Sequence, residues 1–178
     1  MKILTKTPVL TCLFLSFTIL FTIKAQGPKR HIQTNEDSLK KEINAFVDEW
    51  HSDAAHANLN YFKKIDENGI FIGTDKTEVW TKDAFYNFSK KYFERGKAWD
   101  FKASERHIYF SDKKDYAWFD ELLDTWMGPC RSSGVLKRTK DSWIIEHYQL
   151  SVAIPNEVIK EVIKVIQVSD SLKVITGK

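Results

Sequence analysis

The stretch "SWIIEHYQLS", Ser142 to Ser151, decides how this chain folds. β-Branched and aromatic residues alternate with polar ones at a period of two, the pattern of a half-buried strand. The same stretch carries Glu146, His147, Tyr148 and Gln149 in succession, so it also raises a question of chemistry. Strict alternation puts Ile144, Glu146, Tyr148 and Leu150 on one face, and Trp143, Ile145, His147, Gln149 and Ser151 on the other. Glu146 and His147 then point in opposite directions and cannot form one acid–base pair.

Upstream lie three more runs of this kind. Trp99, Phe101 and Ala103 alternate with Asp100, Lys102 and Ser104 toward Phe110; Tyr116 to Trp126 and Cys130 to Thr139 follow. "SDKKD", "MGP" and "KDS" are the breaks between them, so the four strands predict an antiparallel meander. The period is helical before this point. Leu39, Ile43, Phe46, Val47 and Trp50 form one stripe, with Thr34 or Asn35 as its cap. Ser52 or Asp53 can restart a second helix with Ala55, Leu59 and Phe62 on its apolar face. "DENG" reads as a turn, "IFIG" as a short strand and "TDKTEVW" as a linker. Thr81 caps a third helix bearing Phe85, Phe88 and Tyr92, and Gly96 closes it in a left-handed position. After Pro155, Asn156 caps a last helix whose Val158, Ile159, Val162, Ile163 and Ile166 must cover either their own domain or a partner subunit. Helices first and antiparallel strands afterwards define an α+β class, with helices on one sheet face. Twist would curl that sheet and leave a cavity beneath it.

The ends of the chain read differently. Lys2 and Lys6, an apolar run from Val9 to Ile23 and Ala25 predict a signal peptide over residues 1–25, hence an exported, periplasmic or secreted bacterial protein. Residues 26–34 read as a flexible tether, 35–155 as the domain and 156–178 as a C-terminal helix and tail. The apolar run is short for a spanning helix, so no stable membrane span is expected after cleavage. Losing Lys2, Lys6 and Lys24 cancels the formal charge of +3, which leaves no broad electrostatic footprint for nucleic acid. Of the 2 cysteines, Cys12 lies in the signal, and Cys130 alone has no internal disulfide partner.

The order of elements, together with "DEWHSDAAHANLNYF", "FIGTD", "AWFDE" and "SWIIEHYQLSVAIPN", resembles the SnoaL-like branch of the nuclear transport factor 2 superfamily from about Leu39 to Asn156. The last strand looks like the family's Trp-x-Ile-x-His-x-His-x-Ser ending, with Gln149 in place of the second histidine. The resemblance implies a cone-shaped fold, a curved antiparallel sheet wrapped around N-terminal helices, and often a homodimer through the sheet. It also implies pocket positions at Asp120, Gly134 and Leu150.

On that basis Trp118, Asp120, Glu146 and Tyr148 are expected to line the pocket, with Trp80 and Arg106 as further ligand contacts. His147, Gln149 and Glu121 are expected on the outer face. Asp120 and His147 are the candidate catalytic bases, and a carboxylate buried among aromatic rings would be pushed toward a useful pKa. Arg106 and Arg131 could grip a ligand carboxylate or form surface ion pairs. Trp50, Trp80, Trp99, Trp118 and Trp126 suit a flat, greasy ligand, although a filled core would use the same residues. Glu49, Asp53 and His56 would align for a metal only on an unbroken helix; no metal or cofactor is expected, and no phosphate loop or nucleophile elbow occurs. The leading expectation is a domain that binds a small hydrophobic or aromatic ligand, as a homodimer. The alternatives are a cofactor-independent isomerase, dehydratase or cyclase, and a non-catalytic dimerisation domain.

Overall fold

The computed structural model describes residues 29–176; the expected signal peptide lies outside them. The first helix, α1 (Lys29–Ala55), takes in residues assigned above to a tether and runs on past Ser52 without a restart. Nothing between Lys29 and Ala55 is a strong helix breaker, so the amphipathic pattern propagates. Leu39, Ile43, Val47, Trp50 and Ala54 form its buried stripe. The helix ends in a Schellman arrangement: Asn58 N–H donates to the Asp53 carbonyl at 2.7 Å and Ala57 N–H to that of Ala54 at 3.1 Å. Ala57 takes the left-handed position with φ of 52°. A single turn, α2 (Asn60–Lys63), follows and buries Tyr61 and Phe62.

The strand β1 (Ile65–Ile72) is longer than "IFIG" because "DENG" is a bulge inside it, not a turn before it. A Cβ on Gly69 would come within 2.8 Å of Ile65 Cγ2, so the bulge needs glycine. The stretch "TDKTEVW" also holds a short strand, β2 (Val79–Thr81), too brief to show a period. The helix α3 (Lys82–Phe93) begins as expected, with the Thr81 hydroxyl accepting from Ala84 N–H at 3.3 Å. Gly96 stands just beyond its end with φ of 77°.

The meander of β3 (Lys102–Phe110), β4 (Tyr116–Thr125), β5 (Gly128–Arg138) and β6 (Trp143–Val152) follows the expected strands closely. The sheet order is β2-β1-β6-β5-β4-β3. All its pairs are antiparallel except β1 with β6, which is parallel and makes the sheet mixed. The helices α1 to α3 cover one face. Its centre is filled by rings: Trp50 stacks on Tyr61 at 4.8 Å, Phe71 on Phe85 at 3.8 Å, and Tyr148 meets Trp50 edge-on at 4.7 Å. The indole load of the chain thus serves the core in part.

The last helix, α4 (Ile159–Thr176), follows a 3₁₀ turn over Asn156–Val158 that carries no side-chain cap. It covers neither face of the sheet. Val158, Ile159, Ile163, Val165, Ile166 and Val168 stay exposed, and an ion pair of Asp170 with Lys76 at 2.9 Å ties the helix to the body. No described helix is long and apolar enough to cross a membrane.

Candidate functional site

Which way β4 and β6 face decides which polar residues enter the interior. In β4 the buried set is Ala117, Phe119, Glu121 and Leu123, so Trp118 and Asp120 point outward, the reverse of the expected assignment. In β6 one residue breaks the alternation. Ile145 pairs with Leu136, but His147 pairs with the adjacent Val135, leaving Glu146 as an extra, bulged residue. Trp143 and Ile145 therefore share the inner face with Tyr148 and Leu150, while His147 and Gln149 turn outward as expected. Glu146 does not enter the pocket; it pairs with Lys137 at 2.9 Å, and this pairing raises the Lys137 pKa. Gly134 lies inside, where the Phe119 ring occupies the space a Cβ would need.

The candidates are thus divided. Asp120 sits on the outer face, within 3.2 Å of His107 Nδ1, 3.3 Å of Arg131 Nη1 and 3.4 Å of the Tyr109 hydroxyl. Trp118 stacks nearby on Tyr109, with ring centroids 6.0 Å apart. Trp80 stacks on Phe88 at 4.8 Å and backs the aromatic wall. Arg106 faces inward but grips protein rather than solvent: it ion-pairs with Glu121 and Asp48, each at 2.8 Å, and donates to the Asn44 side chain at 3.1 Å. Asp53 and Glu49 both pair with Lys64, and His56 Nδ1 is bonded to the Ser52 carbonyl at 2.8 Å. Among the described residues no group of three or more metal-ligating side chains is arranged to hold an ion.

The residue missed by the sequence reading is Glu121. It is fully buried, and its carboxylate meets His51 Nε2 at 2.8 Å, the Ser132 hydroxyl at 2.9 Å and Arg106 Nε at 2.9 Å. Burial pushes its pKa up, but the His51 contact, the Arg106 charge and the Ser132 bond together hold it below the usual glutamate value. Glu121 is therefore an anion in the interior. Beside it the Tyr148 hydroxyl is buried with no partner at ordinary hydrogen-bond geometry; burial and the Glu121 charge hold its pKa well above the usual phenol value. A signal for Glu121 existed, since it shares its strand parity with Ala117, Phe119 and Leu123.

Open space lies at the mouth of this interior. A cleft of about 210 Å³ is walled by Phe71, Phe85, Phe88, Trp99, Trp126 and Leu150, with Glu78 as its charged edge. Trp126, in the turn between β4 and β5, is 83% exposed and forms the outer lip. The Phe71 ring separates the cleft from Tyr148, at a ring distance of 5.2 Å.

A helix-covered, six-stranded sheet with an aromatic mouth is the cone architecture, and the chain belongs to the SnoaL-like domain family, whose model matches residues 43–155. Three solved structures share the fold. An NTF2-like protein of unknown function from Pseudomonas putida has a TM-score of 0.56 at 12% identity, over 68% of this chain and 92% of that one. The association domain of the C. elegans calcium/calmodulin-dependent kinase CaMKII has a TM-score of 0.56 at 12% identity, over 66% and 98%. A Catenulispora acidiphila protein in complex with S-DNPA has a TM-score of 0.52 at 15% identity, over 65% and 93%. The curated proteins contain no match to the chain.

Proposed function

We propose that this SnoaL-like domain binds a small, flat hydrophobic or aromatic molecule in the cleft at the mouth of the cone. The observation that carries this reading is the wall itself: aromatic rings from α3, β1, the loop before β3 and the β4–β5 turn converge on one opening. At about 210 Å³ the cleft falls below the ~300–1,000 Å³ typical of drug-sized ligands, so one or two fused rings is the size it suits. The small-molecule complex of the Catenulispora relative supports the reading by analogy of fold. Asp120 and His147 lie on the outer face, away from this cleft, which favours binding over catalysis by either.

The test uses 2-naphthol and indole as probes, followed by tryptophan fluorescence and thermal shift. Trp126→Ala removes an exposed lip without opening the core, so binding should weaken about tenfold with little change in Tm. Naphthol and indole that leave both signals unchanged at millimolar concentration would refute the proposal.

Export and self-association belong to the same proposal. The basic and apolar pattern of residues 1–25 supports processing during export, which N-terminal sequencing of the protein from its host would check. The exposed Trp118–Tyr109 pair and the likeness to a kinase association domain support a homodimer through the outer sheet face. Sedimentation of Trp118→Glu as a monomer, against a dimeric parent, is the expected result.

A further inference from the structure

The cleft at the mouth of the cone has a chemical bias that its aromatic character alone does not convey. Among the described residues that wall it, Glu78 is the only charged one, and no lysine, arginine or histidine joins it. Glu78 also has no ion-pair partner among the described residues. The two lysines nearest it in sequence are committed elsewhere, Lys76 to Asp170 at 2.9 Å and Lys82 to Glu67 at 2.6 Å. Its carboxylate is nonetheless held in place. Oε2 accepts from Asp75 N–H at 3.2 Å and packs against Gly73, where an added Cβ would collide with it. A half-buried carboxylate with no cation at hand leaves negative charge beside an apolar space.

The rings add to that sign. An aromatic ring carries negative charge on its face, so a cation is drawn to it, most strongly to tryptophan. Trp99 and Trp126 belong to this wall, together with Phe88 and Tyr92. Neighbouring rings are tilted, Phe88 against Tyr92 at 52° and Tyr92 against Trp99 at 66°, so this side forms a corner rather than a parallel slot. A compact head group placed at such a corner meets more than one ring. Two of these rings already attract a cation of the protein itself. Lys91 Nζ lies 4.9 Å from the centre of Tyr92 and 5.5 Å from that of Phe88, although Lys91 is no part of the cleft wall.

We infer that the cleft selects an organic cation: an aromatic body with a short alkylammonium arm, its ammonium set between the Glu78 carboxylate and the ring faces. This rests on the aromatic-ligand reading and adds the charge of the ligand to it. The body fills the apolar space, while the ammonium exchanges part of its water for a carboxylate and for aromatic faces. A ligand of the same shape that ends in a carboxylate or phosphate meets Glu78 with no cation in the wall to offset the repulsion. The wall that favours one sign of charge therefore rejects the other.

Three indoles that differ only in the group ending the side arm test the charge: tryptamine is positive, tryptophol neutral and indole-3-propionate negative at neutral pH. Titration calorimetry on the full-length protein should show tryptamine binding about tenfold tighter than tryptophol, with indole-3-propionate weaker than both. Glu78→Gln keeps an oxygen for Asp75 N–H and should lose most of the preference for tryptamine. Tryptophol binding as tightly as tryptamine in the parent protein would overturn the inference, and that comparison needs no variant. Indole-3-propionate binding as tightly as tryptamine would overturn it too, as would a folded Glu78→Gln protein that keeps the full preference. In each of those cases indole and tryptophol still bind, so the aromatic reading stands without its charge. Only the failure of every indole and of 2-naphthol to bind would remove both.

Discussion

Asp120 and Glu121 are adjacent carboxylates on one strand, and the molecule treats them in opposite ways. Asp120 stands on the outer face with half-exposed neighbours, His107 and Arg131, around it. Glu121 is sealed inside against His51, Arg106 and Ser132. The pleat makes the difference, since successive side chains leave a strand on opposite faces. One carboxylate remains in water, where a partner contributes little. Its neighbour loses hydration and must be ionically paired, so it fixes the partners that satisfy it.

The largest test of this contrast is Glu121→Ala. It leaves Arg106 charged and buried without its main partner and should cost about 3–5 kcal/mol in denaturant unfolding. Asp120→Asn should cost under ~1 kcal/mol in the same measurement. An equal cost at both sites would mean that burial does not separate them.

Next in size is Gly134→Ala. An added Cβ would stand 2.5 Å from Phe119 Cε1 and 3.2 Å from the His147 carbonyl, with Phe119 itself buried. Overpacking of this kind costs about 1–3 kcal/mol. Ser133→Ala, one residue away on the outer face, should be nearly silent, which thermal unfolding would check.

A smaller effect is the pH dependence. The folded-state pKa of Glu121 is depressed, so its contribution is fully present above the unfolded glutamate value of about 4.3 and is lost as pH falls through the folded value. The parent protein should therefore lose stability on the acid side of about pH 4 more steeply than a folded Glu121→Gln variant. Parallel acid-unfolding curves for the two would remove Glu121 as the cause.

Much of the fold was legible because it depends on local pattern. The four strands of the meander, the Thr81 cap and the left-handed Gly96 all follow from period and backbone preference over a few residues. The elements that escaped are those without a local period. The three residues of β2 are too few to alternate, and "DENG" has the composition of a turn although it bulges within β1. The site was less legible. Leu150 and Tyr148 face inward as expected, but Glu146 is an inserted residue, and one insertion reverses the parity of everything on one side of it. In β4 the clue was available: Glu121 keeps company with Ala117, Phe119 and Leu123, whereas Asp120 lies between Trp118 and Leu122.

The sequence by itself determined the four strands of the meander, the α+β class and the family, because these are set by patterns close along the chain. The tertiary structure alone decided which histidine the buried carboxylate met, that Glu146 was squeezed out of the inner face, and where space was left between the rings. Those outcomes depend on β6 registering against β5 with one residue too many, and on α1 delivering His51 across 70 positions of sequence to Glu121. A distant partner that satisfies a buried charge leaves no mark on the charge's own neighbours in sequence, so only the packed molecule reveals it.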